Sequence, residues 1–156
     1  MVLVRKLGAP WNPELAVGAI DETGWAYIAD YARSTGADEA YLEKEKQAQM
    51  KTLRARRAQF TPHRAPIDPG GRIAIVVDDG LATGATMIAA LHAVRAKRPQ
   101  RLVCAVPVAA AESLDKVRPY ADEVVCLHAS EDFRAVSLFY RHFPQVEDDE
   151  VMAILK

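Results

Sequence analysis

The sequence predicts one α/β domain whose centre is a parallel β-sheet. In the second half of the chain, apolar runs at 72–78, 102–108 and 124–127 alternate with helical stretches at 85–97 and 112–120. Strands with continuous apolar runs, separated by helices, pair in parallel through right-handed crossovers. The length of 156 residues is that of a single domain. Half of the residues are hydrophobic, which is enough for a core without disulfides or a structural metal.

A hairpin and an opening strand are predicted ahead of this sheet. Residues 2–4 form a short β-rich run, which we expect to end as a strand at Arg5 and Lys6, before a loop that contains Gly and Pro. Residues 16–20 and 25–28 flank a four-residue connection with Gly late in the turn. Such spacing is typical of a β-hairpin.

Two helices are predicted outside the sheet-forming segments. Residues 38–60 contain no Gly or Pro, start with acidic and finish with basic side chains, as suits the helix dipole. The apolar stripe of this helix is narrow, so we expect it to lie outside the main core or to contact a partner. A Pro- and Gly-rich stretch at 61–71 predicts a linker. Near the end, the acidic run 147–150 indicates the solvated first turn of a short helix at 151–155.

Composition and charge exclude several classes of protein. Lys and Arg number 20 against 21 Asp and Glu, a net charge of -1, so a generally basic nucleic-acid binder is not indicated. No apolar stretch is long enough to cross a bilayer, and no export signal is visible. The two cysteines, Cys104 and Cys126, lie in β-branched runs without metal or redox spacing, which favours reduced thiols. We therefore expect a cytoplasmic protein.

The segment that carries chemistry runs from Ile73 to Met87. It contains a buried strand, the two acids Asp78 and Asp79, a small-residue turn and the start of a helix. In an open parallel sheet, ligands bind at the carboxyl ends of the strands. This is the position that the pattern predicts for both aspartates and the turn.

The turn after the aspartates is suited to a phosphate group. Its small side chains allow backbone N–H groups to approach an anion at the positive end of the next helix. The aspartates would repel that phosphate from the same space, so we expect them to face a polyol or a cation. A carboxylate accepts two charge-assisted hydrogen bonds from vicinal hydroxyls. The combination predicts a sugar phosphate site, whose turn residues are Ala82, Thr83, Gly84, Ala85 and Thr86.

Two common nucleotide-binding motifs fit this segment less well. A nucleoside-triphosphate loop needs a Lys after its last Gly, and Gly84 is followed by Ala85. The spacing of Gly80 and Gly84 also departs from the dinucleotide fingerprint. A purely structural alternative stays open, in which Thr83 caps the helix and Asp79 is solvated at a strand end.

The run from Val76 to Thr86 resembles the phosphoribosyl-pyrophosphate signature of the type I phosphoribosyltransferases. The segments 2–10 and 12–19, the long helix and the C-terminal tail are similar to a bacterial branch of that family, so the resemblance covers nearly the whole chain. It implies a Rossmann-like parallel sheet with a small hood made of the hairpin and the long helix. It also implies a magnesium-dependent transfer of phosphoribose from phosphoribosyl pyrophosphate to a nitrogen acceptor, with release of pyrophosphate.

The resemblance assigns roles to particular residues. Asp78 and Asp79 would be the catalytic pair, holding the ribose hydroxyls directly or through Mg²⁺, and 82–86 would bind the 5-phosphate. Arg5 and Lys6 would neutralise pyrophosphate, although solvated cations at a strand end are an equally good interpretation.

The sequence also departs from the family pattern. Family members have a helix and a strand ahead of the segment that opens this chain, and that strand ends in a Gly-rich pyrophosphate loop. Either Met1 is an internal or misassigned start, or a short chain repairs the gap by rearranged pairing or a second subunit. Unpaired strand edges and exposed apolar faces favour association, so we expect a homodimer. Two functions stay open, a transferase and a phosphoribosyl-binding regulatory protein; nucleic-acid binding through the arginines of 38–60 has the least support.

Overall fold

A computed structural model describes residues 1–60 and 67–155, and it has the α/β architecture that the sequence predicts. The strands are β1 (Val4–Ala9), β2 (Asn12–Asp21), β3 (Ala26–Ile28), β4 (Ile73–Val77), β5 (Arg101–Ala110) and β6 (Glu123–Ser130). The α-helices are α1 (Glu39–Phe60), α2 (Ala85–Arg95), α3 (Ala111–Val117) and α4 (Asp148–Leu155). Of the predicted linker, residues 61–66 lie outside the described part of the chain, and 67–71 form no helix or strand.

The predicted parallel sheet is confirmed, with the strand order β4-β5-β6. Ile73 pairs with Arg101, and Val103 pairs with Glu123. The helices α2 and α3 make the two crossovers and pack on one face of the sheet. Met87, Ile88 and Leu91 of α2 form the buried cluster there, together with Leu102, Cys104 and Val106 of β5 and Leu114 and Val117 of α3. Burial in this cluster raises the pKa of the Cys104 thiol to about 11, so this cysteine is an inert core residue.

A second, antiparallel sheet has the order β1-β2-β3. The hairpin predicted around Gly24 is confirmed, because Gly18 pairs with Ile28 across β2 and β3. The predicted end of the first strand at Arg5 and Lys6 is wrong, because β1 continues to Ala9. Leu7 is completely buried, and the apolar surface gained there extends the strand through the glycine that follows it.

The long helix α1 packs on this antiparallel sheet. Its Leu53 and Phe60 are buried in a second cluster with Leu7, Val17 and Ile20, so the helix lies outside the core of the parallel sheet, as expected, and helps to form a second core. The narrow apolar stripe is sufficient because the cluster lies on one side of the helix only. We call residues 4–60, which comprise β1–β3 and α1, the hood.

The hood is joined to the parallel-sheet unit through α2. Ala19 of β2 packs against Ala85 and Ala89, small residues that let helix and sheet approach closely. The completely buried carboxylate of Asp21 lies 3.3 Å from Nδ1 of His92. These contacts fix the first turns of α2, and thus the predicted phosphate turn, against the hood.

The parallel sheet leaves one face and one edge uncovered by the described residues. Ile73, Ile75 and Val77 of β4 are 63%, 61% and 71% exposed, and Leu127 of β6 is 82% exposed. A groove of about 690 Å³ separates β4 from the hood and is lined by Val4, Val76 and Asp78 among others. Parallel sheets are normally covered on both faces, so this surface is an unusual apolar patch.

Candidate functional site

The two aspartates lie where the sequence predicts them, at the carboxyl end of β4. The backbone amide of Asp78 donates to the carbonyl of Ala105 at 3.4 Å, and the amide of Asp79 donates to Oδ1 of Asp78 at 2.9 Å. Asp78 is half-buried, and its burial raises the pKa of its carboxyl group. The hydrogen bond from the Asp79 amide lowers this pKa, and the negative charge of Asp79 raises it further. Asp79 is exposed, so the two carboxylates differ in environment.

The predicted phosphate turn is anchored on the neighbouring strand and on α3. Leu81 donates its amide to Val108 and accepts from the amide of Ala110, both at 3.0 Å. The hydroxyl of Ser113 donates to the carbonyl of Ala82 at 2.5 Å. The backbone of the turn is thus fixed at Leu81 and Ala82 before the helix starts.

The helix α2 starts at Gly84, which is its N-cap in the left-handed region with φ 78°. Thr83 does not cap the helix in the usual way. Its hydroxyl is 3.4 Å from the amide of Ala85, a long contact, and no side chain caps the helix. Within the described residues, the amides of Thr83, Gly84 and Thr86 have no protein acceptor. Unpaired amides at the positive end of a helix are the donors that an anion needs.

The C-terminal tail contributes contacts that the sequence analysis did not foresee. The hydroxyl of Tyr140 donates to the carbonyl of Asp79 at 2.7 Å. Val136 lies against Gly80, where an added Cβ would come within 2.9 Å of both of its methyl carbons. The partners in each contact are far apart in sequence, and no local pattern announces such pairs. The tail therefore holds the acidic end of β4 from outside.

Arg5 and Lys6 are not brought together with the aspartates by any contact in the described chain. They lie inside β1, where Nε of Arg5 donates to Gln49 at 2.9 Å and Nζ of Lys6 pairs with Glu14 at 2.6 Å. The groove beside Asp78 is lined by Val4 rather than by either cation. Their role toward pyrophosphate stays a prediction.

The donor set at the strand end suits a magnesium ion bound partly by a substrate. Mg²⁺ is usually held by one or two carboxylates, with substrate phosphates and water completing its shell. Asp78 and Asp79 supply such carboxylates. No cluster of three or more His, Cys, Asp or Glu side chains with metal-binding geometry occurs in residues 1–60 and 67–155.

The described helices also include none with the length and apolarity of a membrane span.

Comparisons with known proteins identify the family of the chain. Residues 4–143 match the family model described as "Phosphoribosyl transferase domain". The chain is 44% identical over 156 residues to "Putative phosphoribosyl transferase MT0597" and "Putative phosphoribosyl transferase Rv0571c" from two strains of Mycobacterium tuberculosis. The match covers 99% of this chain, which spans 35% of the length of these relatives.

A solved structure supports the same assignment. The crystal structure of TT1426 from Thermus thermophilus is 45% identical to this chain and superimposes with a TM-score of 0.76. The match covers 99% of this chain and 73% of the TT1426 chain. The family model covers well over half of the sequence. The chain belongs to the phosphoribosyl transferase domain family.

Proposed function

We propose that this protein binds phosphoribosyl pyrophosphate and transfers its phosphoribosyl group to a nitrogen acceptor. The observation that carries the proposal is the adjacency of two recognition elements on one short segment. The unpaired amides of Thr83, Gly84 and Thr86 lie a few residues after the carboxylates of Asp78 and Asp79 in the same segment. A 5-phosphate on the amides leaves the neighbouring ribose hydroxyls within reach of an acidic pair.

The reaction exchanges one bond at C1 of the ribose for another. The C1–O bond to pyrophosphate breaks and its electron pair leaves with the pyrophosphate. The acceptor nitrogen supplies the pair for the new C1–N bond and then releases its proton to water or to the departing pyrophosphate. Positive charge develops on the ribose ring during this step. The carboxylates of Asp78 and Asp79 stabilise that charge electrostatically, which requires no proton transfer by the protein.

Both aspartates are suited to hold Mg²⁺ together with the substrate. When bound, the ion would offset the charge of the departing pyrophosphate. The half-buried Asp78 is held in place by the Asp79 amide, whereas the exposed Asp79 is free to reach a ribose hydroxyl. We therefore assign sugar recognition chiefly to Asp79.

A second function is a phosphoribosyl-binding regulatory protein with little turnover. It is favoured by the contacts of the two residues that were predicted to bind pyrophosphate. Arg5 is hydrogen-bonded to Gln49, and Lys6 forms an ion pair with Glu14. The groove next to Asp78 also presents the apolar Ala74 and Val76. A site that binds the sugar phosphate well and the pyrophosphate weakly would sense occupancy without fast transfer.

A homodimer is also proposed, with the uncovered face of the parallel sheet as its interface. The accessible surface of the chain is 9924 Å², against roughly 7,800 Å² for a compact monomer of this mass. The excess is roughly 2,000 Å² for one chain, so two chains would bury roughly 4,000 Å² in total, which is within the range of obligate homodimers. Light scattering should give twice the chain mass, and Ile75→Asp on the exposed face should give the monomer mass. A monomeric wild-type chain would contradict the proposed dimer.

Two measurements test the proposed activity. Calorimetry with ribose 5-phosphate measures sugar phosphate binding, and pyrophosphate release from phosphoribosyl pyrophosphate with Mg²⁺ and a panel of bases measures transfer. Binding together with base-dependent release supports the transferase. Binding without release selects the regulatory protein, and absence of binding rejects both.

A further inference from the structure

We infer that Ser113 is a positioning residue that sets the orientation of the peptide group between Ala82 and Thr83. This inference rests on the proposed function, because it explains how the phosphate turn keeps its amides available. Ser113 lies on α3, outside the segment that resembles the family signature. It is 2% exposed, and its hydroxyl donates to the Ala82 carbonyl at 2.5 Å.

The geometry of the peptide bond links this contact to the ligand. In a planar trans peptide, the carbonyl oxygen of one residue and the N–H of the next point in opposite directions. Because Ser113 draws the Ala82 carbonyl toward α3, the Thr83 N–H points away from α3. A rotation of this peptide would replace a donor by a carbonyl oxygen, which repels a phosphate.

The turn offers little else to prevent that rotation. Leu81 is fixed by its two hydrogen bonds to β5, and Gly84 is held in the left-handed region at the helix start. Between these points, the Ala82 carbonyl has no partner other than Ser113 within the described residues. Gly84 lies directly on α3, since an added Cβ would be 3.7 Å from that of Ser113. The Ser113 hydroxyl therefore holds the peptide group between Ala82 and Thr83, which the other contacts of the turn do not fix.

The experiment compares Ser113→Ala with Ser113→Thr, which keeps a hydroxyl, and with Leu114→Ala. The last variant loses buried packing in the next position of the same helix and controls for reduced stability. Affinity for ribose 5-phosphate is measured by calorimetry well below each melting temperature. We expect Ser113→Ala to weaken binding roughly tenfold. Ser113→Thr and Leu114→Ala should stay within about threefold of the wild type.

An NMR measurement adds a readout that general destabilisation does not change. In the wild type, ribose 5-phosphate should shift the Thr83 amide proton strongly downfield, and in Ser113→Ala this shift should be largely lost. Equal affinity of Ser113→Ala and wild type, or an equal loss in Leu114→Ala, would overturn the inference while leaving the proposed function intact. A wild-type protein that does not bind ribose 5-phosphate would instead reject the proposed function, and the positioning role with it.

Discussion

The hydroxyl of Tyr140 donates a hydrogen bond to the carbonyl oxygen of Asp79 across 2.7 Å, which ties the C-terminal tail to the acidic end of β4. Val136 of the same tail lies against Gly80. The tail thus restrains the backbone at Asp79 and Gly80, while the Asp79 side chain stays exposed. Because the contact reaches the backbone of Asp79, its loss should be felt both in stability and in ligand binding.

Tyr140→Phe tests this contact. We expect a loss of about 0.5–1 kcal/mol in the free energy of unfolding, and a few-fold weaker affinity for ribose 5-phosphate by calorimetry. Tyr41→Phe is the matched control, because the Tyr41 hydroxyl donates to the Gly8 carbonyl at 2.8 Å in the hood. It should cost similar stability and leave the affinity unchanged. Equal affinities of both variants would show that the tail does not support the site.

Asp79→Asn separates sugar recognition from phosphate recognition. Loss of the carboxylate should weaken ribose 5-phosphate binding about tenfold or more, because hydrogen bonds to a charged acceptor are the strong ones. In the proposed binding mode inorganic phosphate would contact the amides alone, so its affinity should stay the same or rise as the nearby negative charge disappears. The melting temperature should hardly change, since Asp79 is exposed. Unchanged ribose 5-phosphate affinity would contradict the role assigned to Asp79.

Asp78→Asn should make the protein more stable at neutral pH. Burial raises the pKa of the Asp78 carboxyl in the folded chain, so the folded state binds more protons than the unfolded state between the two pKa values. The free energy of unfolding therefore falls as the pH rises through this interval. Above it, the buried charge of Asp78 destabilises the folded wild type to its full extent.

Thermal unfolding of wild type and Asp78→Asn between about pH 4 and pH 7 measures this effect. The advantage of the variant should be largest at pH 7 and shrink toward pH 4, as the Asp78 carboxyl of the folded wild type becomes protonated and its buried charge is lost. Asp30→Asn, at an exposed position, is the control and should show no such trend. An advantage of Asp78→Asn that does not depend on pH would argue against the buried charge as its cause.

Gly84→Ala should distort the phosphate turn. The left-handed conformation at φ 78° costs an alanine about 1–2 kcal/mol, and the added Cβ would be 3.1 Å from Val117. Gly24→Ala is the matched control, since Gly24 has φ 90° and nothing within 4 Å of an added Cβ. Both variants should lower the melting temperature by a few degrees, and only Gly84→Ala should weaken binding of ribose 5-phosphate.

Much of the parallel-sheet unit follows from local sequence patterns. Continuous apolar runs such as that at Ile73–Val77 have few alternatives in a chain of this size, and the helices between them dictate parallel pairing. The acidic pair and the small-residue turn were found for the same reason, because each lies within one short segment. The unpaired amides of the turn likewise belong to residues that lie close together in sequence.

The remaining features depend on residues that are far apart in sequence. Nothing near Leu7 announces that β1 continues past the charged pair, because the gain comes from packing against α1. The same holds for α1. Its narrow apolar stripe does not reveal what it packs against, because its partner is the antiparallel sheet formed by residues far away in sequence. Ser113 of α3 and Tyr140 of the tail also donate hydrogen bonds to the backbone of the site. The sequence around a single hydroxyl-bearing residue does not show which distant residue it will contact.

The contact between the hood and α2 also provides an optical signal. The indole of Trp25 is stacked on the imidazole of His92, with ring centroids 3.7 Å apart and an angle of 8° between the planes. The chain has two tryptophans, and the other, Trp11, is largely exposed. In a Trp11→Phe background, the emission of Trp25 should therefore report on this stacked contact and should change if the two rings separate. Fluorescence can therefore follow, without an added dye, whether ligand binding changes the contact between the hood and α2.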